Sequence, residues 1–207
     1  MKICYIFAGA EIENYDKIAI EKNLYIICAD GGYLHAKHLG IIPNVVLGDF
    51  DTIDCQIDSR CEVIKYPAEK DDTDSMLAIK LALKKGFDQI EIYGAVGGRL
   101  DHTFANIQAF AYIKQNGANA TIYGDNEEIK LIQNEKITIK KHHDYYLSIF
   151  SFSEKCEGIT EIGVKYPLNN AVITNYFPLG VSNEIIEENA EIEVVSGTLL
   201  IILSKKN

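Results

Sequence analysis

Over the first 125 or so residues the apolar positions follow two alternating rhythms. Short runs rich in Ile, Val and Tyr (KICYIFAGA, LYIICAD, NVVLGD, EVIKY, QIEIYGAV and ATIYGD) read as buried strands, and several end in Gly or Asp. Between them lie segments of helical period. The clearest is DTDSMLAIKLALKKG, where Met76, Leu77, Lys80, Leu81 and Lys84 repeat at three and four. Acid and Thr73 mark its start, and Lys84, Lys85 and Gly86 mark its end. A second helix is predicted from about Asp101 to Asn116, closing on Asn116-Gly117. Such alternation predicts a mostly parallel, helix-covered sheet of Rossmann-like α/β type, whose ligands bind beyond the carboxyl ends of the strands.

After Gly124 the helical rhythm stops. EEIKLIQN, KITIKK, YYLSIFSF, GITEIGVKY, AVITNY, EIEVVSG and TLLIILSK are all strand-like, with turn signals at Asn134-Glu135, His143-Asp144, Leu168-Asn169-Asn170 and Ser196-Gly197. This pattern predicts an antiparallel β-sandwich. Two domains are expected, 1–124 and 125–207.

Composition narrows the class. The 207 residues are 47% hydrophobic and 24% charged, ordinary for a soluble globular protein and unlike a disordered chain. No apolar run approaches the roughly 20 residues needed to cross a bilayer. The first apolar stretch meets acid too early for a signal peptide, so it reads as a strand and no membrane partner is expected. Cys4, Cys28, Cys55, Cys61 and Cys156 show no CxxC spacing, which points to free structural thiols and a cytoplasmic location. A net charge of −10 repels a phosphate backbone, so nucleic acid is not an expected partner. The acid is concentrated at Asp49, Asp51, Asp54 and Asp58, and again at Glu69, Asp71, Asp72 and Asp74.

Four groups at strand ends carry candidate chemistry. Ala29-Asp30-Gly31-Gly32 follows LYIIC, and a glycine pair there either frees backbone N–H groups for an anion or makes a tight turn with Asp30 capping the next helix. In Gly48-Asp49-Phe50-Asp51, carboxylates at i and i+2 on an extended segment point to one side and repel unless a cation lies between them. Oxygen ligands without His or Cys suit magnesium, and a metal site is favoured here over a solvated acidic loop. Lys70-Asp71-Asp72-Thr73-Asp74 opens a helix with Asp72 or Thr73 as N-cap; it holds more acid than capping requires, and Lys70 suggests phosphate contact. Gly94-Ala95-Val96-Gly97-Gly98-Arg99-Leu100-Asp101-His102 is neither a Walker loop nor GxGxxG, but Arg99 offers a planar fork for phosphate oxygens. His102 reads as a helix-start hydrogen-bonding residue rather than a base. A metal, a phosphate-binding backbone and two cationic side chains are the recurring parts of phosphoryl-group transfer.

The ordered set ADGG, GDFDT, KDDTD and GAVGGRLDHTFAN resembles the thiamine pyrophosphokinase family, and GVKYPL with VSNEI extends the likeness to the β-rich half. The resemblance implies transfer of pyrophosphate from Mg-ATP to the thiamine hydroxyl by a homodimer with sites at the subunit interface. It implies that Asp49, Asp51 and Asp74 hold Mg2+, with Asp71 beside them as a catalytic residue. Asp30, Gly31, Gly32, Lys70, Arg99, Asp101 and Asn106 would line the nucleotide and phosphate path, Arg99 also acting in catalysis. Tyr166 would stack on thiamine, with Ser182 and Asn183 hydrogen-bonding its pyrimidine from the partner subunit. Tyr166 stands where some members carry Trp, Thr52 where Ser is common, and Val164 where Leu or Phe is usual. The alternatives are a pyrophosphokinase for a hydroxymethyl-pterin and a non-catalytic nucleotide- or thiamine-binding regulator.

Overall fold

Each apolar run of the first half forms a strand in the computed structural model, which describes residues 1–18, 20 and 24–206. The chain divides into two compact units, Met1–Asp125 and Asn126–Asn207. The first contains β1 (Ile3–Phe7), β2 (Tyr25–Ala29), α1 (Gly32–His38), β3 (Val45–Gly48), β4 (Glu62–Lys65), α2 (Asp74–Lys84), β5 (Gln89–Tyr93), α3 (Leu100–Gln115) and β6 (Asn119–Tyr123). Its strands lie in the order β4-β3-β2-β1-β5-β6, every pair parallel. From β1 the chain builds outward to β4, then crosses back through α2 to β5 on the other side of β1. The strand order therefore reverses between β1 and β5, where such sheets open a crevice at their carboxyl ends.

Parallel strands covered on both faces need nearly continuous apolar sequence. Cys4, Ile6 and Phe7 of β1 and Val45, Val46 and Leu47 of β3 are accordingly fully buried. In α2 the buried residues are Ala78, Ile79 and Ala82, whereas Met76, Leu77 and Leu81 of the expected stripe are only half-buried. Small alanines let the helix axis approach the sheet, so they occupy the inner face. Thr73 is the N-cap of α2, its hydroxyl accepting from Met76 N–H at 3.2 Å. β3 and β4 are joined by irregular chain that carries the first acidic cluster.

The second unit is all β: β7 (Glu127–Gln133), β8 (Lys136–Lys140), β9 (Tyr145–Ser151), β10 (Lys155–Ile162), β11 (Ala171–Thr174), β12 (Asn189–Glu193) and β13 (Thr198–Lys205). An antiparallel layer β7-β13-β9 packs on a second antiparallel sheet, β11-β10-β12-β8. Ile149, Leu199 and Ile201 from the first layer meet Ile139, Ile159 and Ile192 from the second in one core. The expected strand GITEIGVKY stops at Ile162. Gly163 takes φ +78°, and a Cβ there would lie 2.3 Å from Asn189 O, so the chain bends and releases GVKYPL as a loop. The described residues contain no helix long and apolar enough to cross a membrane. All five cysteines are free, and burial pushes the Cys4 thiol up to about 12, which leaves it unreactive.

Glu161 of β10 is an unusual member of the sandwich core. It is only 2% exposed, and neither carboxyl oxygen has a hydrogen-bond partner. Burial raises its pKa from 4.5 to about 7, with the neighbouring Asn183 carboxamide pulling the other way. The folded state therefore favours the neutral acid. Its destabilisation is absent below pH 4.5, grows as pH rises through 7 and reaches about 3 kcal/mol above that. Glu161→Gln is expected to raise the thermal midpoint at pH 8.5 and leave it unchanged at pH 4, as melting curves at the two pH values would show.

Candidate active site

The site is assembled where β1, β2, β3 and β5 end. Ala8, Gly9 and Ala10 leave β1, and the main chain closes on the neighbouring strand through Ala8 N–H to Tyr93 O and Ala10 N–H to Gly94 O, both 2.8 Å. Gly94 takes φ +65°, and a Cβ there would lie 2.5 Å from Ala8 O, so only glycine lets the two strand ends approach this closely. A cleft of about 680 Å³ opens above them, lined among others by Ala10, Asp30, Gly31, Asp49, Lys70, Asp74, Arg99 and Asn106. It lies at the reversal of strand order.

Three carboxylates converge at this end of the sheet. Oxygen atoms of Asp30, Asp49 and Asp51 all lie within 4.8 Å of one another. Asp30 does not cap α1, whose N-cap is Gly31; it sits in the left-handed region at φ +44° and accepts a hydrogen bond from the Thr52 hydroxyl. Asp49 and Asp51 are not on an extended segment either. Phe50 between them is left-handed at φ +66°, and this turn, rather than strand alternation, brings the carboxylates together. The pKa of Asp51 is raised, chiefly by the Asp49 charge, then by burial and Asp30.

Asp74, expected in this triad, is instead tied to it through a cation. Lys70 Nζ lies 3.0 Å from Asp74 and 3.6 Å from Asp49. Burial works against the ammonium, but Asp74 and Asp49 outweigh it and hold the Lys70 pKa above its usual value. Asp72 pairs with Lys80 Nζ at 2.7 Å and lines the cleft, whereas Asp71 is exposed and is not among the lining residues. Two of the three aspartates here are thus ion-paired, Asp72 with Lys80 and Asp74 with Lys70.

On the β5 side Arg99 grips Asp101 with two bonds, at 3.1 and 2.6 Å, both side chains being exposed. Arg99 lines the cleft and Asp101 does not. Asn106 donates to Ala95 O at 2.7 Å, so it braces the glycine loop. Gly32 is buried, and a Cβ there would lie 2.0 Å from Phe7 O. Its missing side chain lets α1 pack against β1. The crevice also uses residues that motif reading passed over. Gly9 and Ala10 line it, and His35 fastens the same loop by bonding Ala10 O at 2.9 Å and Tyr15 OH at 2.7 Å. The signal for them was a first strand ending in Ala-Gly-Ala, whose central position only the strand order reveals.

In the second unit Tyr166 is 62% exposed, with Lys165 Nζ 5.5 Å from its ring centre. Ser182 is exposed and left-handed at φ +60°, its N–H donating to Ser148 Oγ at 3.0 Å. Asn183 is buried, and its carboxamide serves the chain itself. Its Oδ1 accepts from Tyr166 N–H and Glu184 N–H at 3.0 and 2.9 Å, and its Nδ2 donates to Tyr166 O at 3.0 Å. The Asn183 carboxamide thereby clamps the Tyr166 main chain.

Residues 17–122 match the family model "Thiamin pyrophosphokinase, catalytic domain", and residues 134–199 match "Thiamin pyrophosphokinase, vitamin B1 binding domain". A thiamine pyrophosphokinase of Bacillus subtilis is 36% identical over 184 residues, covering 86% of each chain. The chain belongs to the thiamine pyrophosphokinase family. The crystal structure of thiamine pyrophosphokinase from Bacillus subtilis superposes over the whole of both chains with a TM-score of 0.90 at 32% identity. That from Geobacillus thermodenitrificans gives 0.88 at 26% identity, covering 99% of this chain and 98% of the other. Membership of the thiamine pyrophosphokinase family makes this chain an enzyme, a diphosphotransferase.

A diphosphotransferase must neutralise charge, and the carboxylates here fit a hard divalent cation. The donors are all oxygens, Lys70 is the one cation paired with them among the described residues, and Asp30 Oδ1 and Asp74 Oδ1 are buried without a hydrogen bond of proper geometry.

Proposed function

We propose that this enzyme transfers the pyrophosphoryl group of Mg-ATP to the hydroxyl of thiamine, giving thiamine diphosphate and AMP. The observation that carries the reading is the crevice at the strand-order reversal, where Asp30 and Asp49 line a glycine-rich cleft that also holds Lys70 and Arg99, and Asp51 lies beside those two carboxylates. Asp30, Asp49 and Asp51 would hold magnesium, with Asp74 supporting them through Lys70. The cation would supply charge neutralisation on the phosphates. Gly31 and the loop 94–98 offer backbone N–H groups to phosphate oxygens. Arg99 exchanges its exposed partner Asp101 for the triphosphate, an exchange that high solvent screening makes easy. Lys70, between Asp49 and Asp74, would offer its ammonium to a phosphate oxygen. The hydroxyl then attacks the β-phosphorus in line, and AMP leaves.

The second unit would receive the acceptor. Tyr166 offers an exposed aromatic face for a cationic thiazolium, and the left-handed Ser182 presents a hydroxyl beside it. The enzyme acts as a cytoplasmic homodimer in this reading. Tyr176, Phe177 and Val181 are 80%, 62% and 49% exposed, an apolar run suited to a subunit interface.

Product analysis by chromatography tests the reaction. Purified protein with Mg-ATP is expected to release AMP and thiamine diphosphate in equal amounts only when thiamine is present, and a chelator is expected to stop it. AMP released with a hydroxymethyl-pterin and not with thiamine would overturn the acceptor.

A further inference from the structure

The chain that leaves β1 forms a strap, residues 9–17, which borders the cleft at Gly9, Ala10 and Glu11. Main-chain bonds tie its root to the sheet as far as the Ala10 N–H, which donates to Gly94 O. Beyond that point side chains hold it. The Asp125 carboxylate accepts from the Glu13 and Asn14 N–H groups, both at 2.9 Å, and Lys17 Nζ donates to Asp125 O. The Tyr15 ring lies over His38, centres 4.1 Å apart, and its hydroxyl meets His35 Nδ1 at 2.7 Å.

His35 is only 8% exposed, and both of its ring nitrogens are engaged. Ala10 O can only accept, so Nε2 carries the proton at their 2.9 Å contact. Nδ1 of the neutral ring then accepts from the Tyr15 hydroxyl. Burial holds the His35 pKa below its usual value, against the pull of the Ala10 bond, Asp125 and Glu11, which agrees with a neutral ring. A histidine so engaged has no ring nitrogen left for a ligand.

What His35 controls is the Ala10 carbonyl, and that oxygen lies against the glycine loop. A Cβ on Gly94 would come within 3.0 Å of it. The root of the strap also meets the other glycine turn, since a Cβ on Gly31 would lie 3.6 Å from Gly9 Cα. His35 itself stands on α1, about one helical turn beyond Gly31. One hydrogen bond therefore joins α1, the strap and the loop 94–98, with the strap root as the spacer between the two turns.

We propose that His35 is a positioning residue for the donor nucleotide: it holds the Ala10 carbonyl against Gly94 and so fixes the spacing of the two turns, at Gly31 and 94–98, that receive the triphosphate. This rests on the reading of the cleft as the ATP site. His35 bonds protein through both nitrogens, so its loss loosens donor binding and leaves acceptor binding untouched.

Steady-state kinetics with ATP and with thiamine test this for His35→Ala, His35→Gln and Arg99→Ala. His35→Ala is expected to raise the ATP KM about tenfold, with kcat within about threefold and the thiamine KM within about twofold of wild type. His35→Gln, whose carboxamide N–H can reach the Ala10 carbonyl, should bring the ATP KM back to within about threefold. Should His35→Ala not fold, Tyr15→Phe takes its place, with an expected rise of about threefold. An ATP KM unchanged in the variant that folds, a thiamine KM that rises in step with it, or a His35→Gln enzyme no better than His35→Ala would overturn the inference. Arg99→Ala separates the two levels. If it raises the ATP KM while the His35 variants do not, only the positioning role falls; if it leaves both the ATP KM and kcat unchanged, the cleft is not the donor site and the inference falls with it.

Discussion

Asp49→Asn is expected to lower kcat by about a thousandfold or more while the protein keeps its fold. Asp49 is the hub of the carboxylate group: it belongs to the Asp30-Asp49-Asp51 convergence, it lies 3.6 Å from Lys70 Nζ, and its charge is the main cause of the raised Asp51 pKa. An amide is isosteric but uncharged, so it weakens a hard cation site without leaving a hole. It accepts a long hydrogen bond from Asp51 N–H at 3.3 Å, which an amide oxygen can also accept. Removing a repelling charge should leave the melting temperature equal or slightly higher. Turnover by Asp49→Asn near the wild-type rate would remove Asp49 from the site.

Gly32→Ala is expected to be the most damaging single methyl group in the first unit. The added Cβ would sit 2.0 Å from Phe7 O and 2.5 Å from Phe7 C, which are backbone atoms of the central strand and cannot rotate away. Either α1 lifts off β1 or the strand shifts, at a cost of ~3 kcal/mol or more. For a chain of this size that corresponds to a drop of about 6 to 12 °C in the melting midpoint. Gly40→Ala is the contrast, because Gly40 has φ +68° but nothing within 4 Å of the added carbon. It should lose only the backbone term, about 1 kcal/mol. Equal midpoints for the two variants would show that α1 is free to move.

The architecture was legible in the sequence because hydrophobic period is a local property. Short apolar runs such as KICYIF and TLLIILSK, flanked by glycine, favour strands, and the loss of helical period after Gly124 marks where α/β texture ends. The order of the strands was not legible, and with it went Gly9, Ala10 and His35, which matter only because β1 lies at the centre of the sheet. The acidic motifs were visible as chemistry but not as geometry. Nothing in Asp49-Phe50-Asp51 announces a left-handed phenylalanine, and nothing in Lys70-Asp71-Asp72-Thr73-Asp74 says which aspartate a distant Lys80 will take. Asn183 shows the same limit: nothing in its motif announces the burial and the three hydrogen bonds by which its carboxamide holds the main chain.

Direct measurement of divalent-cation binding tests the central claim, that Asp30, Asp49 and Asp51 form the metal site of the enzyme. Mn2+ titrated into wild-type protein and Asp49→Asn, followed by electron paramagnetic resonance, reports binding without any turnover. A saturable site in the wild type that is weakened at least about tenfold in the variant is the expected result. Equal binding by both proteins would place the cation elsewhere and contradict the site described here.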